Sequence, residues 1–496
     1  MPYLFLTGAT GLLGRYLIKD LTLAGVPLAV LVRPTRRATA RQRVENVMCH
    51  LDGLLGRPLA RPVVLEGDIT EPDLGLDGRS LQWVADNCDT MLHNAASLTF
   101  NSTSPQSEPW RSNVAGTRHV LDLCRQARVR RFHHVSTAYV CGLRHGRVLE
   151  SELDVGQETS NDYERSKVQS EQMVRAADFI ESLTVHRPAI IIGDSQTGYT
   201  TTYHGFYALL QAVYTMAQTF ESNATGLPRA AARFAVSGNE TKNLVPVDWV
   251  SAVMTHVITH PDHHGKTYHL TPTHPIPSRL LADIFEEAVG FYGVSFLGVE
   301  NPPTGLSEIE QLYYDLISVY NSYWKDDPAF DATNTRLAAP HLPCPHVDRK
   351  TLMKLSKYAM SVNFTSPRAK PIEPKFDVSA ALEPLLAAAE PAPETVAAET
   401  RLGLRVTGHG GGDWSLVIRE NEIAAAGVGI HPRCAALVEC DIDVFASLAS
   451  GESSVEERLA SGKLSIHGDA TLRPGILLAF TRLAELGRQL AGSSAA

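Results

Sequence analysis

The chain opens on a short apolar run, Tyr3-Leu4-Phe5-Leu6, that passes directly into Thr7-Gly8-Ala9-Thr10-Gly11-Leu12-Leu13-Gly14. A strand that ends in a glycine turn and reopens as a helix constrains the fold more than any other feature. The glycines permit a tight turn, close approach of backbone to a pyrophosphate, and close packing of helix on strand. The helix N-terminus behind them offers free N–H groups and partial positive charge to phosphate oxygens. Gly8, Thr10, Gly11, Leu12, Leu13 and Gly14 are therefore candidate pyrophosphate-binding residues. The plainer reading, an ordinary strand–helix loop, is weakened by the turn's place after the first strand.

Short apolar runs then alternate with helical patterns, which predicts strands at residues 2–7, 28–32, 62–65, 90–93, 131–135 and 184–187. Helices are expected at 12–24, 114–127 and 163–176. Runs that are apolar throughout suit strands covered by helices on both faces. The predicted class is α/β: a doubly wound, Rossmann-type parallel sheet with a small substrate-capping region.

The Rossmann core is expected over about 1–195 with 243–258, and the cap over about 196–242 and 259–365. Within these, 198–218 reads as a helix after a loop, and 243–258 as a short strand running into another. Ile309, Leu312, Leu316, Tyr320 and Trp324 recur at helical spacing and read as core. Pro- and Ala-rich composition marks a linker at 366–376. Beyond it, 377–496 reads as a separate α+β domain. It should carry a helix near 378–389, strands near 405, 414–419 and 436–442, and a closing amphipathic helix at 474–490.

Lys+Arg number 45 against 54 Asp+Glu, a net charge of −9, so the broad positive field that nucleic-acid binding needs is missing. Seven cysteines without a Cys-x-x-Cys spacing argue against a disulfide framework and a sulfur-ligated zinc site. No apolar run approaches the roughly 20 residues of a membrane span, and a cytoplasmic location is expected. His260, His263, His264, His269 and His274 fit no standard metal-ligand pattern, and Pro261 and Gly265 mark a loop.

The second strand should end near Val32-Arg33, where an NAD-preferring site would place an acidic residue. Arg33 can instead grip a 2′-phosphate through charge-assisted hydrogen bonds, which favours NADPH over NADH. Arg36, Arg37 and Arg41 read as a solvated basic face. Tyr163 and Lys167 stand at i and i+4 on one helix face. A neighbouring ammonium stabilises a phenolate, which would bring the tyrosine hydroxyl into use as acid or base nearer neutrality. Upstream, Ser136-Thr137 at a strand end offers hydroxyls to a carbonyl oxygen.

In their order, these motifs resemble the extended short-chain dehydrogenase/reductase family over about residues 1–360. The set comprises the glycine turn, Gly67-Asp68-Ile69, His93-Asn94-Ala95-Ala96, Asn113, Ser136-Thr137, Tyr163/Lys167 and Arg187-Pro188. The resemblance implies that Asp68 and Ile69 flank the adenine. Asn94, Ala95, Ala96 and Asn113 would join the cofactor set, and Pro188 and Ile191 would border the nicotinamide. Thr137 would bind the substrate oxygen, Tyr163 would transfer the proton, and Lys167 would hold the nicotinamide ribose.

Leu31-Val32-Arg33, Gly67–Leu76 and Gly193-Asp194-Ser195-Gln196-Thr197-Gly198 resemble the thioester-reductase and fatty acyl-CoA reductase (male-sterility-type) branch. That implies reduction of an acyl thioester, on coenzyme A or a carrier protein, to aldehyde or alcohol, with Arg43 joining Arg33 on the NADPH phosphate. The run Gly462-Lys463-Leu464-Ser465-Ile466-His467-Gly468-Asp469 resembles a sterol-carrier-protein type two domain, which implies an apolar ligand there. Two other functions suit the residues: a carbonyl/hydroxyl oxidoreductase acting on a sterol, terpenoid or other lipid, and a nucleotide-gated lipid-binding protein without turnover.

Overall fold

The computed structural model describes residues 2–219, 229–290, 292–298, 300–301, 303–318, 323, 325–365, 373–380, 382–383, 400–419, 422–468 and 477. The first half runs β1 (Tyr3–Thr7), α1 (Leu12–Leu23), β2 (Leu28–Val32), α2 (Ala40–Leu55), β3 (Val63–Glu66), α3 (Gly78–Asn87) and β4 (Cys88–His93). It continues through α4 (Gly116–Gln126), β5 (Arg131–Val135), β6 (Arg147–Val148), α5 (Asp162–Arg175), β7 (Ser182–Pro188) and β8 (Ile190–Ile192). Next come α6 (Phe206–Thr219), β9 (Arg229–Phe234), β10 (Thr241–Lys242), β11 (Leu244–Pro246), α7 (Val247–Thr259), β12 (Thr267–Leu270) and β13 (Ile276–Pro277). Then follow α8 (Ser278–Val289), β14 (Tyr292–Phe296), α9 (Glu308–Ile317), β15 (Ala329–Phe330), α10 (Thr333–Ala338) and α11 (Arg349–Ser361).

Seven parallel strands make the central sheet in the order β12-β7-β5-β4-β1-β2-β3. The chain leaves β1 toward β2 on one side and returns through β4 on the other. The crevice at the carboxyl ends of β1 and β4 is thus the topological switch point where open α/β sheets bind ligands. Every residue of β1 and β2 is buried, because helices cover both faces. One face packs Leu17, Ile18, Val47 and Val253 into a core. The other packs Phe5, Val84, Val120 and Phe132. Each such side chain contributes about 1.5–3 kcal/mol over exposure.

Residues 243–258 differ from the expectation of two strands. β11 passes straight into α7, because Trp249, Val250, Val253, Met254 and Val257 recur at helical spacing and bury one face. The cap has its own core, in which α6, α8 and α9 meet β9 and β14. In α9 the buried apolar side chains described are Tyr313 and Ile317, while Leu316 is 46% exposed, so the face is one residue from the expected stripe. Tyr320 and Trp324 lie outside the described residues.

The C-terminal region forms a five-stranded sheet from β16 (Thr400–Thr407), β17 (Gly412–Arg419), β18 (Glu422–Val428), β19 (Ala436–Asp441) and β20 (Leu464–Gly468). Its strand order is β18-β17-β16-β19-β20, with β16 and β19 parallel and the other pairs antiparallel. Helices α12 (Ile442–Ser450) and α13 (Val455–Ala460) pack with it around Leu404, Trp414 and Phe445. The helix expected at 378–389 is described only to 383, with Val378 and Leu382 buried in this core. The closing helix at 474–490 lies, apart from Leu477, outside the described residues.

This sheet docks at the amino end of β1. The Tyr3 hydroxyl donates to Asp413 Oδ2 (3.1 Å) and accepts the Ile430 amide (2.8 Å), and Trp83 Nε1 donates to the Val428 carbonyl (2.6 Å). The glycine turn is at the other end of the same strand, about 17 Å away for five residues. Arg41, expected on a solvated face, keeps 40% of its side chain exposed but is not unpartnered. It pairs with Asp377 at 3.0 Å and ties the start of the C-terminal region to α2.

Candidate active site

Gly8 adopts φ +72°, and a Cβ there would meet the Ala95 nitrogen at 2.7 Å; one on Gly14 would lie 2.1 Å from the Gly8 carbonyl oxygen. Any side chain at either position would force β1, β4 and α1 apart. A Cβ on Gly11 meets only that same oxygen, at 3.4 Å, which leaves room over the first turn of α1. The Thr7 hydroxyl accepts the Asn94 and Ala95 amides (3.2 and 3.1 Å), and Asn94 Nδ2 donates to the Gly8 carbonyl (3.2 Å). The turn is thereby fixed against the end of β4. It is a cradle shaped for a dinucleotide pyrophosphate.

Three guanidinium groups converge beside Thr10. Arg43 Nη1 donates to the Arg33 carbonyl (2.6 Å) and its Nη2 to Thr10 Oγ1 (2.9 Å), while Arg15 Nε donates to the Thr10 carbonyl (3.0 Å). Burial, then the charges of Arg33 and Arg15, push the Arg43 pKa down. A bound anion would relieve that repulsion. Arg33 is exposed and reaches Asp68 Oδ2 at 3.4 Å. Burial opposes the Asp68 charge, but the Thr70 amide and hydroxyl and Arg33 outweigh it and hold the carboxyl below its usual range. These groups fit a phosphorylated adenosine ribose.

Tyr163 and Lys167 project from α5, whose first turn is capped by Asn161 Oδ1 accepting the Glu164 amide (3.0 Å). The Tyr163 amide donates to the Phe100 carbonyl (3.2 Å). Burial pushes the Tyr163 hydroxyl up to about 12, against the pull of a hydrogen bond with Thr137. Burial brings Lys167 down to about 8, opposed by the Glu171 charge, and its Nζ donates to the Val135 carbonyl (2.8 Å). The expected depression of the phenol by Lys167 is therefore not what the site displays. Desolvation dominates, and the tyrosine is a protonated donor at neutral pH, adjacent to a second hydroxyl.

A buried ion pair stands behind this group: Arg187 Nη2 lies 2.6 Å from Glu171 Oε1, both side chains fully buried. It locks α5 to β7 next to Pro188.

All the predicted cofactor and catalytic residues line one cavity of about 600 Å³ except Gly14 and Asn113. Gly14 serves helix–strand packing. Asn113 is buried away from the cavity: its Oδ1 accepts the Ser97 amide (2.8 Å), and its Nδ2 donates to the Ser97 carbonyl (3.1 Å) and Ser166 Oγ (2.9 Å). It ties the segment following Asn94 to α5 and does not line the cavity.

Sequence reasoning missed Arg15, Tyr323 and the cap side of the cavity. Tyr323 lines the cavity and donates to Glu164 Oε1 at 2.8 Å. It reaches the site from 159 residues away in sequence, so no local motif marks it. Ring nitrogens of His256, His260 and His264 meet backbone carbonyls. At the seam with the C-terminal region, Glu45, Cys49 and His409 bring ligand-type atoms within 4.8 Å, where Glu45 already pairs with Arg61.

The comparisons agree with this geometry. Residues 6–254 match the family described as Male sterility protein, an NAD-binding family, and the chain belongs to it. It is an oxidoreductase of the extended short-chain dehydrogenase/reductase type. The chain is 26% identical over 405 residues to the aldehyde reductase lnaA of Aspergillus flavus, covering 73% of this chain and 36% of that protein. It is 30% identical over 213 residues to the carboxylic acid reductase of Mycobacterium marinum, covering 38% of this chain and 18% of that one. The chain thus spans about a third or less of the length of these two relatives. Among solved structures it resembles the terminal R domain of the myxalamid PKS-NRPS biosynthetic pathway, with a TM-score of 0.60 and 25% identity over 74% of this chain and 92% of that domain. No helix among the described residues is long and apolar enough to cross a membrane.

Proposed function

We propose that this protein uses NADPH to reduce an acyl thioester, carried on coenzyme A or a carrier protein, to the aldehyde or alcohol. The observation that carries the reading is the pair of donors, Thr137 and Tyr163, at the nicotinamide end of a groove whose other end gathers Arg33 and Arg43. The similarity to an aldehyde reductase and to an R domain supports the reaction class.

The dihydronicotinamide supplies a hydride when bound. Thr137 and Tyr163 hydrogen-bond the carbonyl oxygen as it gains charge, as preorganised donors. Tyr163 then gives up its proton to that oxygen. The carbon–sulfur bond of the resulting hemithioacetal breaks, the sulfur leaves as thiol, and aldehyde remains. Lys167 holds its ammonium beneath Tyr163 through Val135 and faces the ribose position. Reduction of the aldehyde to alcohol would take a hydride from a second NADPH, with Tyr163 again giving its proton to the oxygen. Arg33 and Arg43 would hold the 2′-phosphate, and Asp68 and Ile69 the adenosine.

The organisation proposed for the chain is a reductase over 1–365, a linker at 366–376 and a sterol-carrier-protein type two-like domain at 377–496. The separate core around Leu404, Trp414 and Phe445 supports the last part. Its docking at the amino end of β1 puts it away from the nicotinamide, so an apolar ligand held there would be stored rather than presented. Photolabelling the full chain with a diazirine fatty acid should mark peptides within 400–468; labelling confined to 200–320 would contradict the carrier role.

The reading as a thioester reductase is tested by following nicotinamide oxidation and free thiol together over a panel of acyl-CoA and acyl-carrier thioesters. Both should rise in step. Oxidation with lipid ketones or aldehydes alone, without thiol release, would replace this reading by that of a lipid carbonyl reductase.

A further inference from the structure

The cavity does not end at the nicotinamide position. Beyond Pro188 and Ile190 it continues into the cap, along one face of α6. Phe206, Leu209, Val213 and Met216 all line it, at intervals of three, four and three residues, so they share that face. Leu281, Phe285, Phe234 and Tyr313 line it too, and the ring pairs Phe206–Phe285 and Phe234–Tyr313 pack at 5.3 and 5.2 Å, which holds these liners in place.

Among the described residues this arm contains two charged side chains, and both are tied back. Lys242 Nζ is 3.1 Å from Asp327 Oδ1, and Glu286 Oε1 accepts the Gly293 and Val294 amides at 2.7 and 2.8 Å. Neither is left to recognise a polar substrate group.

The inner end of the arm is also defined. A Cβ on Gly205 would lie 3.4 Å from the Ile190 side chain, so the residue before Phe206 touches the strand that borders the nicotinamide position. From Phe206 to Met216 is ten residues, about 15 Å of helix at 1.5 Å per residue. An extended alkyl chain advances about 1.25 Å per carbon, from a 1.52 Å bond at 111°. The arm therefore accommodates about twelve methylenes.

We infer that the acyl part of the substrate is an unbranched apolar chain laid along α6, with Leu209, Val213 and Met216 marking successive depths along it. The inference takes its substrate head from the thioester reading, but the arm's apolar walls stand apart from that reading. It locates the subsite for the reacting acyl chain in the cap, apart from any apolar ligand stored in the C-terminal region.

Two series separate the two ideas. One is kcat/KM for saturated acyl-CoA thioesters from two to sixteen carbons. The other is the affinity of non-reducible S-alkyl-CoA thioethers of the same lengths. Each added methylene should raise both by up to about fourfold, the factor that about 0.8 kcal/mol gives, and the rise should stop near about twelve carbons. Leu209→Trp fills the arm about 4.5 Å from Phe206 and should stop the rise near four carbons; Val213→Trp, about 10.5 Å along, near eight. Met216→Ala should extend it.

A flat response to length, or the same break in the Leu209 and Val213 variants, would overturn the ruler even if thioesters are reduced. Graded thioether affinity with no thioester turnover would uphold the ruler and overturn the thioester reading. Should one tryptophan variant fail to fold, the other and Met216→Ala still give a break that must move with position.

Discussion

Lys167 donates to the Val135 carbonyl at 2.8 Å, one turn along α5 from Tyr163. That bond holds the ammonium in a fully desolvated position, and burial takes its pKa down to about 8. Turnover should therefore fall as pH rises through about 8, while Tyr163, pushed up to about 12, stays protonated. Stability should move the other way. The folded-state value lies below the ordinary 10.5, so between about 8 and 10.5 the unfolded chain binds more protons, and this residue's contribution to stability grows with pH. Lys167→Arg should carry the alkaline limb of kcat/KM above pH 10. A limb that stays near 8 in that variant would mean another group titrates.

Tyr163→Phe should lower kcat by about 10²–10⁴, the range for losing a positioned general acid. NADPH affinity, read by nicotinamide fluorescence, should change less than threefold, about 0.6 kcal/mol. Thr137→Val removes the neighbouring donor and should cost about 10²–10³ in kcat. Equal loss of cofactor binding in either variant would make these residues structural.

Arg43 bridges the Arg33 carbonyl and Thr10 Oγ1, so on the NADPH reading it would meet the 2′-phosphate beside both. Arg43→Ala and Arg33→Asp should each raise KM for NADPH by about 10–100-fold, corresponding to charge-assisted bonds of about 1.5–3 kcal/mol. KM for NADH should stay or fall. An unchanged NADPH/NADH ratio in both variants would move the phosphate elsewhere.

The Glu171–Arg187 pair has no exposed side-chain surface. Arg187→Met leaves the buried Glu171 carboxylate with only the partly exposed Arg175, at 2.7 Å, and should cost up to about 3–5 kcal/mol in urea unfolding. The same variant should loosen α5 from β7. A loss below about 1 kcal/mol would mean that Arg175 alone satisfies Glu171.

What could be read from the sequence follows from where the information lies. The glycine turn, the strand-end Thr137 and the Tyr163/Lys167 pair are local patterns, and local chain geometry carries them to one crevice. Asn113 reads the same in sequence whether it touches a ligand or braces Ser97 and Ser166, so its role needed tertiary contacts. Arg41 likewise looks like any surface arginine until Asp377 comes to meet it across the fold. The strand expected after β11 failed because a run rich in valine suits both periods, and Trp249, Val253 and Val257 decide for the helix by packing. The cap arm was hidden for the same reason as Tyr323: its walls come from separate segments, each of which reads as ordinary core.

The most direct test of the central account is the stoichiometry of NADPH consumed to thiol released in a single time course with a dodecanoyl thioester. Thiol release should track oxidation at one NADPH per thiol for aldehyde, or two for alcohol, and both should fall together by about 10²–10⁴ in Tyr163→Phe. NADPH oxidation without thiol, or thiol release that persists undiminished in Tyr163→Phe, would contradict the account.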